Sequence, residues 1–132
     1  VLPEKPLYIL PLPIPHKKLR PNSKCNPYEK LRIIKKNRRV CYLLAMMLFG
    51  DIVNKFGFKP YKKAQIKQVF YFKDKRTGDE DNAEASTKSS TDGVCDSRII
   101  QNDKGIHWLE REFIIDKSKA GKMEYHFYSL SD

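Results

Sequence analysis

The chain has 132 residues, 40% apolar and 32% charged, and its 26 Lys+Arg against 16 Asp+Glu leave a net charge of +10. That length fits one ordinary domain or a smaller one with tails, and the composition is that of a soluble globular protein with a modest core. It excludes a membrane span, because the longest apolar run, Val40 to Phe49, falls short of the ~20 residues a spanning helix needs. It also excludes collagen-like and disulfide-rich scaffolds.

Residues 1–26 are predicted to form a proline-rich extended arm and a basic linker. Residues 1–27 hold seven of the eight prolines: Pro3, Pro6, Pro11, Pro13, Pro15, Pro21 and, at the start of the next element, Pro27. Each removes a backbone donor and fixes φ, so this stretch is neither helix nor central strand. Leu7, Ile9, Leu10 and Leu12 lie between them, and an arm that apolar packs along its own domain or on a partner. Residues 1–15 are therefore the candidate protein-docking segment. His16, Lys17, Lys18, Arg20 and Lys24 read as the linker. The chain opens on Val1 with no signal-peptide pattern. That opening and the end at Asp132 read as a domain of a longer protein, with mature processing as the alternative, and the unpaired cysteines read as intracellular, with the nucleus favoured.

Residues 27–132 are read as a single α+β domain. Asn26 can cap a helix, Pro27 suits its first position, and Glu29 sits in its first turn. Leu31, Ile33 and Ile34 then alternate with Lys30, Arg32, Lys35, Lys36, Arg38 and Arg39. A second helical stretch, Val40 to Phe56, is apolar on every side at its centre, and Gly57 fits its end. Whether residues 27–56 are one helix or two stays open. Residues 61–73 carry two patterns at once, and a short cationic helix to about Gln68 followed by an extended Val69–Lys73 satisfies both. Residues 74–97 are acidic and Ser/Thr-rich, which predicts a disordered loop with Ser86, Thr87, Ser89, Ser90 and Thr91 as phosphorylation targets. Gly105 to Asp116 and Lys122 to Leu130 read as an antiparallel β-hairpin, with Gly121 available for a positive φ. Phe113 and Ile115 are assigned to one face of its first strand, Trp108 and Ile114 to the other.

Chemistry-bearing groups are sparse. Cys25, Cys41 and Cys95 are odd in number and widely spaced, so neither a disulfide framework nor a zinc site is expected. His107 and His126 fall on neighbouring predicted strands, but no short ligand pair, phosphate loop or nucleophile motif accompanies them. No catalytic residue, metal or cofactor is implied, and the chain is read as a non-enzyme.

Charge is the stronger signal. Residues 1–39 carry 11 basic and 2 acidic residues, residues 40–78 carry 8 and 2, residues 79–96 carry 1 and 6, and residues 97–132 carry 6 and 6. A basic block of this kind attracts polyanions. For any single lysine a solvated surface explains it equally well, and the clustering carries the reading. Helices, a Lys-rich segment and a hairpin with a basic tip follow the order of a winged-helix module. Residues 122–128, Lys-Met-Glu-Tyr-His-Phe-Tyr, resemble the closing wing strand of RFX-type winged-helix domains, a likeness of a few residues from which no functional position is carried over.

The expected fold is thus a small helical domain with a C-terminal antiparallel hairpin, winged-helix-like. The expected function is nucleic-acid binding, double-stranded DNA favoured over RNA, in transcription regulation. Lys59, Lys62, Lys63 and Lys67 would form the recognition segment, with Gln65 and Gln68 for base edges. Lys36, Arg38 and Arg39, with Lys117, Lys119 and Lys122 of the wing, would hold phosphates. One alternative is a protein-interaction domain of a larger complex, docking through the apolar arm and the aromatic hairpin. Another is RNA stacking on Tyr71, Tyr125 and Phe127.

Overall fold

The computed structural model describes residues 4–20, 23–74 and 86–132. Among these, strand β1 (Tyr8–Pro13) leads through a short 3-10 turn to helix α1 (Pro27–Val53), strand β2 (Lys63–Phe72) and helix α2 (Lys88–Asp96). Strands β3 (Ile106–Trp108), β4 (Glu112–Ile115) and β5 (Lys122–Ser131) complete the chain. One mixed sheet results, in the order β1-β5-β2-β3, with β4 also on β2. The fold is mixed α+β, and no helix of the described residues is long and apolar enough to cross a membrane.

α1 is one continuous helix. The Asn26 side chain accepts a hydrogen bond from the Tyr28 amide at 2.8 Å, and Pro27 stands where its missing N–H costs nothing. The helix ends at Val53, and Gly57 takes a positive φ of 80° in the turn beyond it. Its buried residues are Cys41, Ala45 and Phe49, a one-face spacing of four. Phe49 meets Tyr8 and Phe127 edge-on, with ring centroids at 5.3 and 5.1 Å.

Four expectations fail, each for a physical reason. Residues 61–68 are not a recognition helix: β2 runs unbroken through Lys63–Phe72, because period-2 alternation places Ala64, Ile66, Gln68 and Phe70 on the buried side. The C-terminal strands do not form a hairpin. β5 pairs antiparallel with β1 and β2, while β3 and β4 run parallel along the other edge of β2. The 116–121 turn closes over the end of β2, where the Asp116 amide donates to Phe72 and the Gly121 amide to Tyr71. Gly121 does take its positive φ, at 85°. A wing strand like that of the RFX-type domains is therefore not formed. Trp108 and Phe113 share the helix-covered face, since they pair with Ile66 and Phe70 and residues 109–111 interrupt the alternation between them.

The fourth correction concerns the acidic segment. Residues 75–85 lie outside the described residues. Residues 88–96, however, are helix α2, packed on α1. Its contact is built from small groups. Ser89, Ser90, Thr91, Gly93 and Val94 are buried, and a Cβ on Gly93 would lie 2.3 Å from the Arg38 carbonyl oxygen. Ser86 and Thr87 are buried as well, so the five proposed phosphorylation targets are enclosed in the folded chain.

β1 occupies an edge, which its prolines permit. Leu10 and Leu12 point into the core, while Leu7 and Ile9 remain 57% and 45% exposed. Both helices cover one face of the sheet. There Leu10, Ile66, Phe70, Met123, Tyr125 and Phe127 join Phe49, Val94 and Ile99 in the core.

Candidate nucleic-acid interface

The fold separates the expected basic site into two layers. At 3.6 residues per turn, Arg32, Lys36 and Arg39 lie on the side of α1 opposite Cys41, Ala45 and Phe49, and all three are exposed. Lys35 flanks them and is exposed too. No residue from Pro27 to Val40 is buried, so the first half of α1 stands proud of the core. Between Lys30 and Arg39 there are six cations and no acid. Arg38 belongs to a different contact, since its guanidinium grips the Asp96 carboxylate of α2 with bonds of 2.7 and 2.8 Å. Glu29, at the head of the helix, is held by Lys18.

The second layer is the open face of the sheet. Residues paired across strands share a face, so Lys63, Gln65, Lys67, Glu124 and His126 all lie there, opposite the helices. Lys122, two residues before Glu124 on β5, shares that face. This side is charged in both signs. Lys67 bonds Glu112 at 3.0 Å and lies 5.7 Å from the Tyr128 ring. Burial opposes the charge on Lys67, but Glu112 outweighs it and holds the ammonium above its usual pKa. Burial likewise opposes ionisation of Glu124, yet hydrogen bonds with His126 and Tyr71 hold its carboxyl below the usual range. Tyr71, pushed up to about 12 by burial and then by Glu124, is buried with Lys119 4.8 Å from its ring centroid. Lys117 and Lys119 sit in the 3-10 turn at the end of β2.

Of the remaining expected residues, Lys59 and Lys62 are exposed before β2, where the Lys62 amide donates to Ser131. Gln65 accepts from the Ser129 hydroxyl at 3.1 Å. Gln68 is a correction: it is 7% exposed on the helix-covered face and cannot reach a base edge from the open side. Tyr125 and Phe127 are fully buried, which removes them as stacking platforms. β2 lies between the strands of His107 and His126, which pair with Gln65 and Lys67, so the two histidines stand about 12 Å apart, two strand spacings across and two residues along. Cys41 and Cys95 are pushed up to about 11 by burial, which keeps both as thiols. Among the described residues no cluster of three or more His, Cys, Asp or Glu could hold a metal.

Reading by charge alone missed a cavity of about 830 Å³ beside α2 and the β3–β4 edge, bordered by Gln68, Thr87, Lys88, Trp108, Arg111 and Phe113 among others. The strand alternation that turns Gln68 inward is the signal that could have located it. A scan against protein-family models and a search of curated proteins find no match to this chain.

Proposed function

We propose that the chain is a nucleic-acid-binding module that grips duplex phosphates through the outer stripe of α1, with DNA favoured over RNA. The observation that carries this reading is the run of exposed cations Arg32, Lys35, Lys36 and Arg39 on a helix half with no buried residue. Such a helix half fits the B-DNA major groove, about 12 Å wide, whereas the deep, narrow major groove of A-form RNA excludes it. The lysines of β2 and of the 116–122 region form a second, weaker patch on the opposite layer, partly neutralised by Glu112 and Glu124.

The test is fluorescence anisotropy with a labelled DNA duplex over a salt series. Wild-type affinity should fall steeply with salt. Reversal of Arg32, Lys36 and Arg39 to Glu together should flatten the slope of log affinity against log salt by about 3, close to one unit per lost phosphate contact. Reversal of Lys63 and Lys67 should leave that slope nearly unchanged. The stripe is the wrong surface if the sheet pair, and not the helix triple, abolishes binding.

Protein interaction remains a second reading, on a specific observation. Leu43 and Met47 continue the α1 stripe beyond Arg39 and are exposed, as is Phe56. Of the arm expected to dock, Leu7 and Ile9 are the large apolar residues left exposed among the described residues of β1 and its approach. A duplex-independent, salt-insensitive self-association or partner capture lost in Met47→Glu would favour it.

A further inference from the structure

The cavity beside α2 has a polar floor, an aromatic wall and a rim of mixed charge. The floor is the Gln68 amide. Its Nε2 lies 3.3 Å from Thr87 Oγ1 and 3.2 Å from the Tyr125 hydroxyl, which in turn bonds Thr91 Oγ1 at 2.9 Å. The other end of the amide, Oε1, takes part in no hydrogen bond with the described residues. No described side-chain nitrogen or oxygen is both fully buried and without a partner. That end therefore reaches the cavity that Gln68 borders, and a side chain 93% enclosed presents one unused hydrogen-bonding atom to it. Buried polar groups are ordinarily satisfied, so an idle one at the floor of a cavity marks a place for a ligand.

The wall is flat. Trp108, the only tryptophan, is 41% exposed and held edge-on to Tyr125 at 5.7 Å. Phe113 stands on the same face, with the Arg111 guanidinium 5.9 Å from its ring centroid. The rim balances Lys88 and Arg111 against Asp103 and Glu110, and Lys88 is bonded to Asp103 at 2.9 Å. Lys88 also borders a separate depression of about 130 Å³ lined by Lys30 and Ile34 of α1.

We propose that this cavity takes a single unstacked nucleobase. The base stacks on the Trp108 indole and donates an N–H to Gln68 Oε1. The volume suits a nucleoside. The charge-balanced rim gives no preference for a highly charged ligand, which separates this site from a triphosphate pocket. One amide atom is too little to read a base uniquely, so discrimination among bases stays within about tenfold. The base comes either from a free nucleotide or from a strand splayed beside α1. The strand as source rests on the nucleic-acid reading above, whereas affinity for a free nucleoside does not.

The sole tryptophan makes the full chain its own reporter. Its fluorescence is followed on titration with adenosine, adenosine monophosphate, adenosine triphosphate and a short single-stranded oligo-deoxyadenylate. All four should quench it, the triphosphate no better than the nucleoside, with the oligonucleotide displaced by excess nucleoside. Gln68→Leu should weaken nucleoside binding up to about tenfold. Because a buried substitution can unfold the chain, Trp108→Leu is the second variant. There, displacement of a labelled oligonucleotide by adenosine should be lost by ten- to a hundredfold, the worth of one stacked base. Quenching by the oligonucleotide alone would assign the base to a strand, and quenching by nucleosides alone to a free nucleotide. Unchanged fluorescence at millimolar adenosine and at saturating oligonucleotide would overturn the assignment, as would marked preference for the triphosphate. Duplex binding that persists in that case leaves the α1 reading intact.

Discussion

The two halves of α1 are fastened in different ways. Residues 41–53 are anchored by apolar burial: Cys41, Ala45 and Phe49 face the sheet, and Phe49 is clamped between Tyr8 and Phe127. Residues 27–40 bury nothing fully and are held from the side by α2, a helix with little apolar surface. There Asn37 donates to the Ser89 and Ser90 hydroxyls at 2.7 and 2.9 Å, Arg38 grips Asp96, and Gly93 lets the two backbones meet. One helix can thus be secured by hydrophobic area at one end and by close approach of small polar groups at the other. The second arrangement leaves a basic outer stripe free for a ligand.

The largest effect should fall on the apolar end. Phe49→Ala removes a fully buried ring from the meeting point of β1, β5 and α1 and should cost about 3–5 kcal/mol in urea unfolding. A loss below about 1 kcal/mol would show that the ring's cavity collapses or that the β1–α1 contact contributes little.

The small-residue end can be probed by adding a single methyl group. Ala normally improves a helix interior over Gly by about 1 kcal/mol. At Gly93 the new Cβ would lie 2.3 Å from the Arg38 carbonyl oxygen and 2.9 Å from Cys41 Cβ, so the helices must part. Overpacking of this kind costs about 1–3 kcal/mol, and Gly93→Ala should be destabilising despite the better propensity. A stabilised variant would mean that the helices do not approach this closely.

That contact also marks what was legible in the chain and what was not. Asn26-Pro27 announces the start of α1, Gly121 its positive φ, and the prolines of residues 8–13 an extended segment that is neither helix nor central strand, because each signal is local and steric. α2 was hidden because its burial is not hydrophobic: Ser, Thr and Gly read as loop, and only a facing helix with room at Arg38 and Cys41 makes them interior. The sheet order was hidden because β2 inserts between strands that are neighbours in sequence, and no local pattern encodes a pairing 53 to 68 residues away. The lysines of β2 obey both helical and strand spacing, and burial at every second position, Ala64, Ile66 and Gln68, decides between them. At the candidate interface, the α1 cations were readable as charge. Gln68 was misplaced because its side follows from strand parity, which was not settled without the fold.

The Arg38–Asp96 pair gives the smallest and most specific test of the lateral fastening. Its side chains are 49% and 38% exposed, so solvent screens the pair and it should contribute under about 1 kcal/mol. The Arg38 hydrogen bond holds the Asp96 carboxyl below the usual range against a smaller opposing effect of burial. A carboxyl depressed on folding stabilises above its unfolded pKa, about 3.9, and that share is lost as pH falls through the lower folded value. Arg38 itself is raised from an already high value by Asp96, so no loss follows on the alkaline side. The stability gap between wild type and Asp96→Asn, measured by urea unfolding, should therefore be constant from pH 7 to about pH 5 and narrow below pH 3.9. It should also shrink in molar salt, where exposed charges are screened. A gap that ignores both acid and salt would assign the effect of Asp96 to packing rather than to its charge, and the N-terminal half of α1 would then be held by close packing and the Asn37 hydrogen bonds alone.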